Sequence, residues 1–275
     1  PDGKLLLVGG YTPVLPPLKS RVTRLNTDGS VDTGYAAGGF AVDAITGCSD
    51  MPLGSCPFVS ALQADGKLVI ASGTAIARLN ADGSPDTGFS ADGKTSINAG
   101  SNTRLFALAV QQDGKLVLAG RVTNGAAHDV LVARLLPDGT PDTTFDGDGY
   151  AIVMVAAGDD QANAVAIQPN QRIVVAGVAH NGSNKDLFVA RLHQNGQQDK
   201  SYYGNGVAIV DILSDDQAAQ AMLLDDKGSV ITAGYHGAAP AQFLIAKFGS
   251  NRGHSVSLQA DGKALVAGSV NGEAS

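Results

Sequence analysis

Apolar residues in this chain fall into short blocks, and the blocks come in sets of four. Between residues 105 and 155 the runs are Leu105–Val110, Lys115–Ala119, Val130–Leu135 and Tyr150–Val155. Each has the length of a short strand, and none carries the 3.6-residue period of a helix. The second run is almost wholly apolar, as a strand covered on both faces requires. Asp113-Gly114 joins the first two runs and predicts a two-residue type I′ hairpin turn, because that pair tolerates positive φ. Pro137-Asp138-Gly139 predicts the turn between the third and fourth.

The set repeats. Asp2-Gly3-Lys4-Leu5-Leu6-Leu7-Val8-Gly9 returns from Asp65, Asp113 and Asp261, with degenerate copies from Asn170 and Lys227. An Arg-Leu phrase follows at Arg24, Arg78, Arg134 and Arg191, and Lys247-Phe248 takes its place in the fifth unit. A third phrase, Asp-Gly-Ser-x-Asp-Thr or close to it, starts at Asp28, Asp82 and Asp138 and is worn at Asn195. The units run at about 1–46, 59–98, 105–155, 163–213, 218–249 and 254–275. One four-stranded unit cannot bury both its faces. Stacking units around an axis covers them and leaves only short edges. The prediction is an all-β fold, one β-propeller domain over residues 1–275 with four-stranded antiparallel blades, at least five of them. A linear β-solenoid or a run of β-sandwiches would be the competing arrangement, although solenoid coils are shorter and more uniform.

The phrases Gln-x-Asp-Gly-Lys, three apolar residues and Ala-Gly, then Ala-Arg-Leu-Asn-x-Asp-Gly-Ser-x-Asp-Thr-x-Phe, resemble the delta-sixty repeat. The resemblance covers nearly the whole chain, strongly at 61–98 and 107–155 and more weakly at 164–213. It implies a bacterial propeller-like repeat of largely unassigned function, found in large exported or surface proteins. An extracellular or cell-surface location follows as an expectation. No catalytic residues come with the resemblance. The chain starts at the turn before a second strand and stops just after one, so natural termini are expected beyond both ends. The last step between units, from Lys227 to Asp261, is 34 residues, against 57 for each of the two before it. A segment is therefore expected to be missing near Ser250, with the chain closed over a gap at 249–253. Six to eight blades would then be present.

Composition narrows the picture. Of 275 residues, 44% are hydrophobic and 16% charged, the reverse of a disordered chain. The 35 glycines do not recur every third residue, which excludes collagen. A net charge of -7 without a basic stripe argues against a nucleic-acid partner. The longest apolar run, Tyr150 to Ala157, is less than half of the roughly 20 residues that span a bilayer, so no transmembrane segment is expected. There is no Trp. Ala and Gly must then do the blade packing, and propellers that bind quinone cofactors lose support. Cys48 and Cys56 fit a local disulfide in a secreted protein, or two unrelated thiols. No second ligand pair lies near enough for zinc.

In propellers generally, the loops joining strands two and three share a rim with those joining one blade to the next, and ligands bind there. Here that rim holds the variable residues. Gly158-Asp159-Asp160-Gln161 and Ser214-Asp215-Asp216-Gln217 are read as matching blade-to-blade loops, either as solvated acidic turns or as a cation or polyol site. Asn102 and Arg104 hold the related place one blade earlier. His128, His180 and His236 are expected in the loops between strands two and three, on the same rim, where loop histidines or a His–Asp metal site are the alternatives. In the repeated phrases, the Asp after each turn Gly accepts backbone N–H groups and the strand-end Arg pairs with it. The other reading is a shallow Ca²⁺ loop at Asp82, Ser84 and Asp86, with Asp146 and Asp148 adding carboxylates in one blade. No cofactor is otherwise implied. No zincin helix, P-loop, dinucleotide fingerprint or nucleophile elbow is present.

The expected function is a non-enzymatic binding or assembly module for a protein or glycan partner at a bacterial surface. A secreted hydrolase or lyase with an acidic site at the axial mouth is one alternative. A structural segment of a large adhesin or fibre-associated protein is another.

Overall fold

A computed structural model describes residues 2–11, 19–46, 57–211, 215–237 and 242–249, together with the backbone of two short strands at 256–258 and 264–266. No helix occurs among the described residues. The first sheet holds β1 (Leu5–Tyr11), β2 (Lys19–Leu25) and β3 (Phe40–Thr46) in that order. The second holds β4 (Val59–Leu62), β5 (Leu68–Ser72), β6 (Ala75–Leu79) and β7 (Lys94–Ser96). The third holds β8 (Arg104–Val110), β9 (Leu116–Asn124), β10 (Ala127–Leu135) and β11 (Tyr150–Val153). The fourth holds β12 (Asp160–Ile167), β13 (Ile173–His180), β14 (Lys185–Leu192) and β15 (Val207–Val210). The fifth holds β16 (Gln217–Leu224), β17 (Val230–His236) and β18 (Gln242–Phe248), and β19 (Val256–Leu258) pairs with β20 (Ala264–Val266). All pairings are antiparallel between chain neighbours, the four-stranded meander expected of a propeller blade. The expected gap at 249–253 falls, apart from residue 249, outside the described residues, as do Cys48 and Cys56.

Consecutive sheets pack face to face. The second strand of each blade shows why both its faces are apolar. Val69 and Ala71 share one core cluster with Leu116 and Leu118 of the next blade, while Leu68 and Ile70 share another with Val22 of the blade before. Val117 and Ala119 meet Ile173 and Val175, and Val174 and Ala176 meet Val230. Successive side chains of a strand point to opposite faces, so one run of five apolar residues feeds two interfaces. The first strands β4, β8, β12 and β16 also touch one another in series, which places them on the inner side of the stack.

The Asp-Gly turn differs from the expected type. Gln111 N–H donates to Lys115 O (2.8 Å) and Gly114 N–H to Gln111 O (2.9 Å). Gly114 has φ +82°, whereas Asp113 does not take positive φ. The connection is therefore a type I turn closed by a glycine bulge, with a three-residue loop, because only one of its residues is left-handed. The Asp113 side chain caps the turn by accepting Lys115 N–H (3.2 Å). This two-bond turn occurs eight times among the described residues, and at Gln171 (φ +64°) a residue other than glycine holds the left-handed place.

The glycine that closes each Ala-Gly phrase has a different reason. The first strands of the third, fourth and fifth sheets carry a bulge, with register shifts at Leu105/Ala107, Ala162/Ala164 and Ala219/Ala221. Beside each bulge the strand backbone closes on Gly120, Gly177 or Gly234. A Cβ there would lie 1.8 Å from Arg104 O, 1.9 Å from Gln161 O or 1.9 Å from Ala218 O.

Candidate functional site

Because neighbouring strands are antiparallel, the first-to-second and third-to-fourth turns of every blade share one rim, here the Asp-Gly rim. The second-to-third loops and the blade-to-blade loops share the other, the loop rim.

On the Asp-Gly rim one arrangement recurs. Arg24, Arg78, Arg134 and Arg191 pair through Nε with Asp32, Asp86, Asp142 and Asp199 at 2.6–2.8 Å. Lys4, Lys67, Lys115 and Arg172, from the Asp-Gly-Lys phrase, bring a second cation to the same carboxylates at 2.8–3.1 Å. The four guanidinium groups lie over the rings of Tyr35, Phe89, Phe145 and Tyr202. Arg24, Arg78 and Arg134 also reach forward, to Ala81 O, Pro137 O and Gln194 O in the following blade. The next turn glycine sits against the ring: a Cβ on Gly139 would be 2.8 Å from Phe89. Arg, Asp and aromatic thus form a staple between blades. Burial alone would raise the Asp142 carboxyl, but bonds from Thr144 and Lys115 and the charge of Arg134 outweigh it and lower it to about 2.

The candidate calcium residues are drawn into this staple. Asp82 Oδ1 accepts Ser84 N–H (2.9 Å) and Ser84 Oγ–H (2.6 Å), capping its own turn. Asp86 is held by Arg78 and Lys67. Asp148 Oδ1 accepts Tyr150 N–H (2.9 Å). Asp146 lies apart, in a cleft of about 740 Å³ between the third and fourth blades that Arg172, His193, Asp199, Lys200 and Ser201 also line. Desolvation there, and then Asp148, raise its carboxyl. Among the described residues, no three His, Cys, Asp or Glu side chains gather as a metal site.

The loop rim differs at each junction. Asp159 Oδ1 accepts both the backbone N–H of His128 (2.9 Å) and a hydrogen bond with its ring Nδ1 (2.9 Å). These bonds, the backbone one first, hold the Asp159 carboxyl below its ordinary range. Asp216 Oδ1 accepts Lys185 N–H (3.0 Å) in the same way one junction on. Asp160 is fully buried; its Oδ2 accepts Val155 and Ala156 N–H (both 2.9 Å), and its Oδ1 has no partner. Burial, and more weakly the charge of Asp129, raise its pKa.

The register corrects the matching of the two acidic pairs. Ala162 pairs with Gly177 and Ala219 with Gly234, a step of 57, which aligns Asp159 with Asp216 and Asp160 with Gln217. Aligning the identical Asp-Asp-Gln triplets implies 56 and is one residue out. Asp215 remains in the loop, where its carbonyl accepts Asn184 Nδ2–H (3.0 Å). The histidines also sit differently from expectation: His180 and His236 end β13 and β17, and His128 is the second residue of β10, so all three flank the loops rather than occupy them. His180 Nδ1 accepts Gly182 N–H (3.1 Å), while His236 is buried with its Nδ1 unpartnered. The acidic pairs and histidines therefore do not form one constellation; His128 with Asp159 is the pair brought together.

Sequence reading missed a polar row along the inner strands. Arg121 Nη1 donates to Gln161 Oε1 (3.2 Å), Gln161 Nε2 to Asn163 Oδ1 (2.6 Å), and Asn163 Nδ2 to Ala219 O (2.8 Å). It runs from the third blade across the fourth to the fifth. The signal was present as polar residues inside otherwise apolar first strands, with Asn163 as the extra residue of a bulge.

Nested antiparallel blades, face-to-face cores and the repeated staple define a β-propeller repeat protein. Residues 1–35, 63–89, 111–145 and 168–202 match a family described as "Domain of unknown function (DUF5122) beta-propeller", which supports a bacterial β-propeller repeat family. No curated protein matches the chain. Among solved structures, it is similar to a polysaccharide lyase described as PL25 ulvan lyase, with 11% identity, 92% of this chain and 68% of that one covered, and a TM-score of 0.53. A gluconolactonase from Xanthomonas campestris aligns at 17% identity over 91% and 78% of the two chains, with a TM-score of 0.41. A Bacteroides caccae protein of unknown function aligns at 11% over 92% and 75%, with a TM-score of 0.43. At these identities the likeness concerns the fold.

Proposed function

We propose that this propeller is a non-enzymatic binding module, displayed outside a bacterial cell, that holds a glycan against the inner part of its loop rim. The observation that carries this reading is the row Arg121–Gln161–Asn163. Amide side chains offer both donors and acceptors, the chemistry that sugar hydroxyls match. The acids on the same rim are engaged elsewhere: Asp159 with His128, Asp216 with Lys185 N–H, Asp160 with two backbone amides. The surface location rests on the resemblance to exported repeats. Glycan-array binding by the purified chain tests the reading. Binding that is lost in Gln161→Ala and Asn163→Ala, at an unchanged melting temperature, is the expected result. A chain that binds no glycan, and a protein partner through other residues, would overturn it.

A hydrolase or lyase is the second reading, favoured by one geometry: a partly exposed His128 ring held by a carboxylate, as a general base is held. Turnover of a glycan, lactone or ester that disappears in both His128→Ala and Asp159→Asn would establish it.

A further inference from the structure

We infer that the cleft between the third and fourth blades, on the Asp-Gly rim, binds a ligand carrying both an ammonium and a carboxylate, an amino acid or a short peptide. The inference goes beyond the glycan reading, which concerns the opposite rim. The cleft measures about 740 Å³, inside the range of about 300–1,000 Å³ found for small-molecule sites. Its two walls carry opposite charge. The third blade contributes Asp146, and the fourth contributes Arg172, His193 and Lys200. Among the described residues, neither the Asp146 carboxylate nor the Lys200 ammonium has a hydrogen bond or ion pair. Arg172 gives its Nε to Asp199 (2.9 Å), which leaves its Nη groups as donors. His193 holds its Nε2 3.6 Å from Asp199 Oδ1 and is half-exposed. Opposite charges held apart across a gap suit a dipolar ligand, since each end gains charge-assisted hydrogen bonds.

The other junctions build the same backbone without these charges. Ala36, Ser90 and Asp146 all take φ between 46° and 50°. Each donates its N–H to the turn of the next blade, at Asp82 O (2.7 Å), Asp138 O (2.8 Å) and Asn195 O (2.8 Å). The link between blades therefore needs the backbone at this place and not a carboxylate. Where the fourth blade has His193 and Lys200, the third has Leu136 and Thr143, and the second has Asn80 and Thr87. The charges of this cleft are thus additions to the repeat. Asp146 comes at a cost, because desolvation and then the charge of Asp148 raise its carboxyl. A ligand ammonium beside Asp146 offsets that cost, and a ligand carboxylate fits the Arg172 fork and the Lys200 ammonium.

The test is calorimetric titration of the full chain with four probes: dialanine, N-acetyl-dialanine, dialanine amide and free alanine. Dialanine should bind, and blocking either terminus should weaken it about tenfold. Asp146→Ser and Lys200→Thr install the residues of neighbouring blades, which keeps the fold, and a melting temperature checks it. Asp146→Ser should weaken dialanine about tenfold and leave the affinity for the acetylated probe unchanged. Lys200→Thr should weaken dialanine more than it weakens the amide. Free alanine binding as tightly as dialanine assigns the site to amino acids, and dialanine binding alone assigns it to peptides; either result supports the inference. Three results overturn it: free and blocked dialanine binding equally, binding indifferent to Asp146, or no binding of any probe. Loss on amidation without loss on acetylation also overturns it, because the site would then read an anion only. Glycan binding at the loop rim is measured separately, so its failure leaves this inference standing.

Discussion

At the Asp-Gly rim, four arginines meet an aspartate eight residues on, a second cation and a ring, almost unchanged from blade to blade. At the loop rim, equivalent residues do different things. Asp159 holds a histidine ring and a backbone amide, Asp216 a backbone amide of Lys185, and Asn102 donates to Thr123 Oγ1. The buried place that Asp160 fills is held by Thr103 in one neighbour and Gln217 in the other. One rim has to fit the next copy of itself, so its chemistry repeats. The other meets its neighbours through contacts that differ at each junction, Asp159 with His128 and Asp216 with Lys185 N–H, and is not held to one repeated arrangement. Repetition in this chain marks architecture, and departure from it marks where a ligand is to be sought.

The largest expected effect tests the close approach inside the blades. Gly177→Ala puts a Cβ 1.9 Å from Gln161 O and should cost about 3–4 kcal/mol in chemical denaturation. Gly9→Ala has nothing described within 4 Å and should cost less than about 0.5 kcal/mol. Equal effects would break the account of the bulge. Next comes the staple. Arg134→Ala leaves the buried Asp142 with Lys115 as its remaining cation beside the Thr144 bonds and strips the cation from Phe145, a loss of about 3 kcal/mol. His128→Ala, at a partly exposed pair, should lose less than about 1 kcal/mol. If the loop-rim variant is the more damaging, the contrast between the rims fails.

The rims should also answer pH in opposite senses. Asp142 has a depressed pKa, so its contribution is present above the ordinary carboxylate value of 3.8 and is lost as pH falls toward about 2. Asp160 has a raised pKa, so its contribution is complete at low pH and is lost as pH rises through the folded value. Melting curves of Asp142→Asn and Asp160→Asn against pH should flatten the two limbs separately. At neutral pH, Asp160→Asn should stabilise by about 1 kcal/mol, because an amide oxygen can still accept the two N–H bonds without a buried charge. The smallest effect is at the turns. Gln171→Gly, relieving φ +64°, should gain about 0.5–1 kcal/mol, measured by the same denaturation.

Much of the fold was legible because it is local and repeated. The run Lys115–Ala119 was visible as an apolar block, although the strand runs from Leu116 on to Asn124, and the Arg–Asp pairing was visible as two phrases at constant spacing. The turn type was misread because Asp-Gly serves both a type I′ turn and a type I turn with a glycine bulge. Only the φ of the residue before glycine separates them. The loop-rim match was misread because identical triplets outweighed the 57-residue step that strand pairing obeys. The candidate site was least legible. Arg121 and Gln161 are 40 residues apart and meet only because blades stack.

By itself, then, the sequence determined the all-β class, the blade as the repeating unit and the residues of the Asp-Gly rim. Each of these depends on side-chain alternation and turn chemistry within a few dozen residues. The tertiary structure decided which neighbour each loop residue meets. It set Arg104 against Arg121, buried Asp160 beside Asp129 and ran a polar row across three blades. Those contacts depend on strand register and on the packing of one blade on the next, which no single repeat encodes.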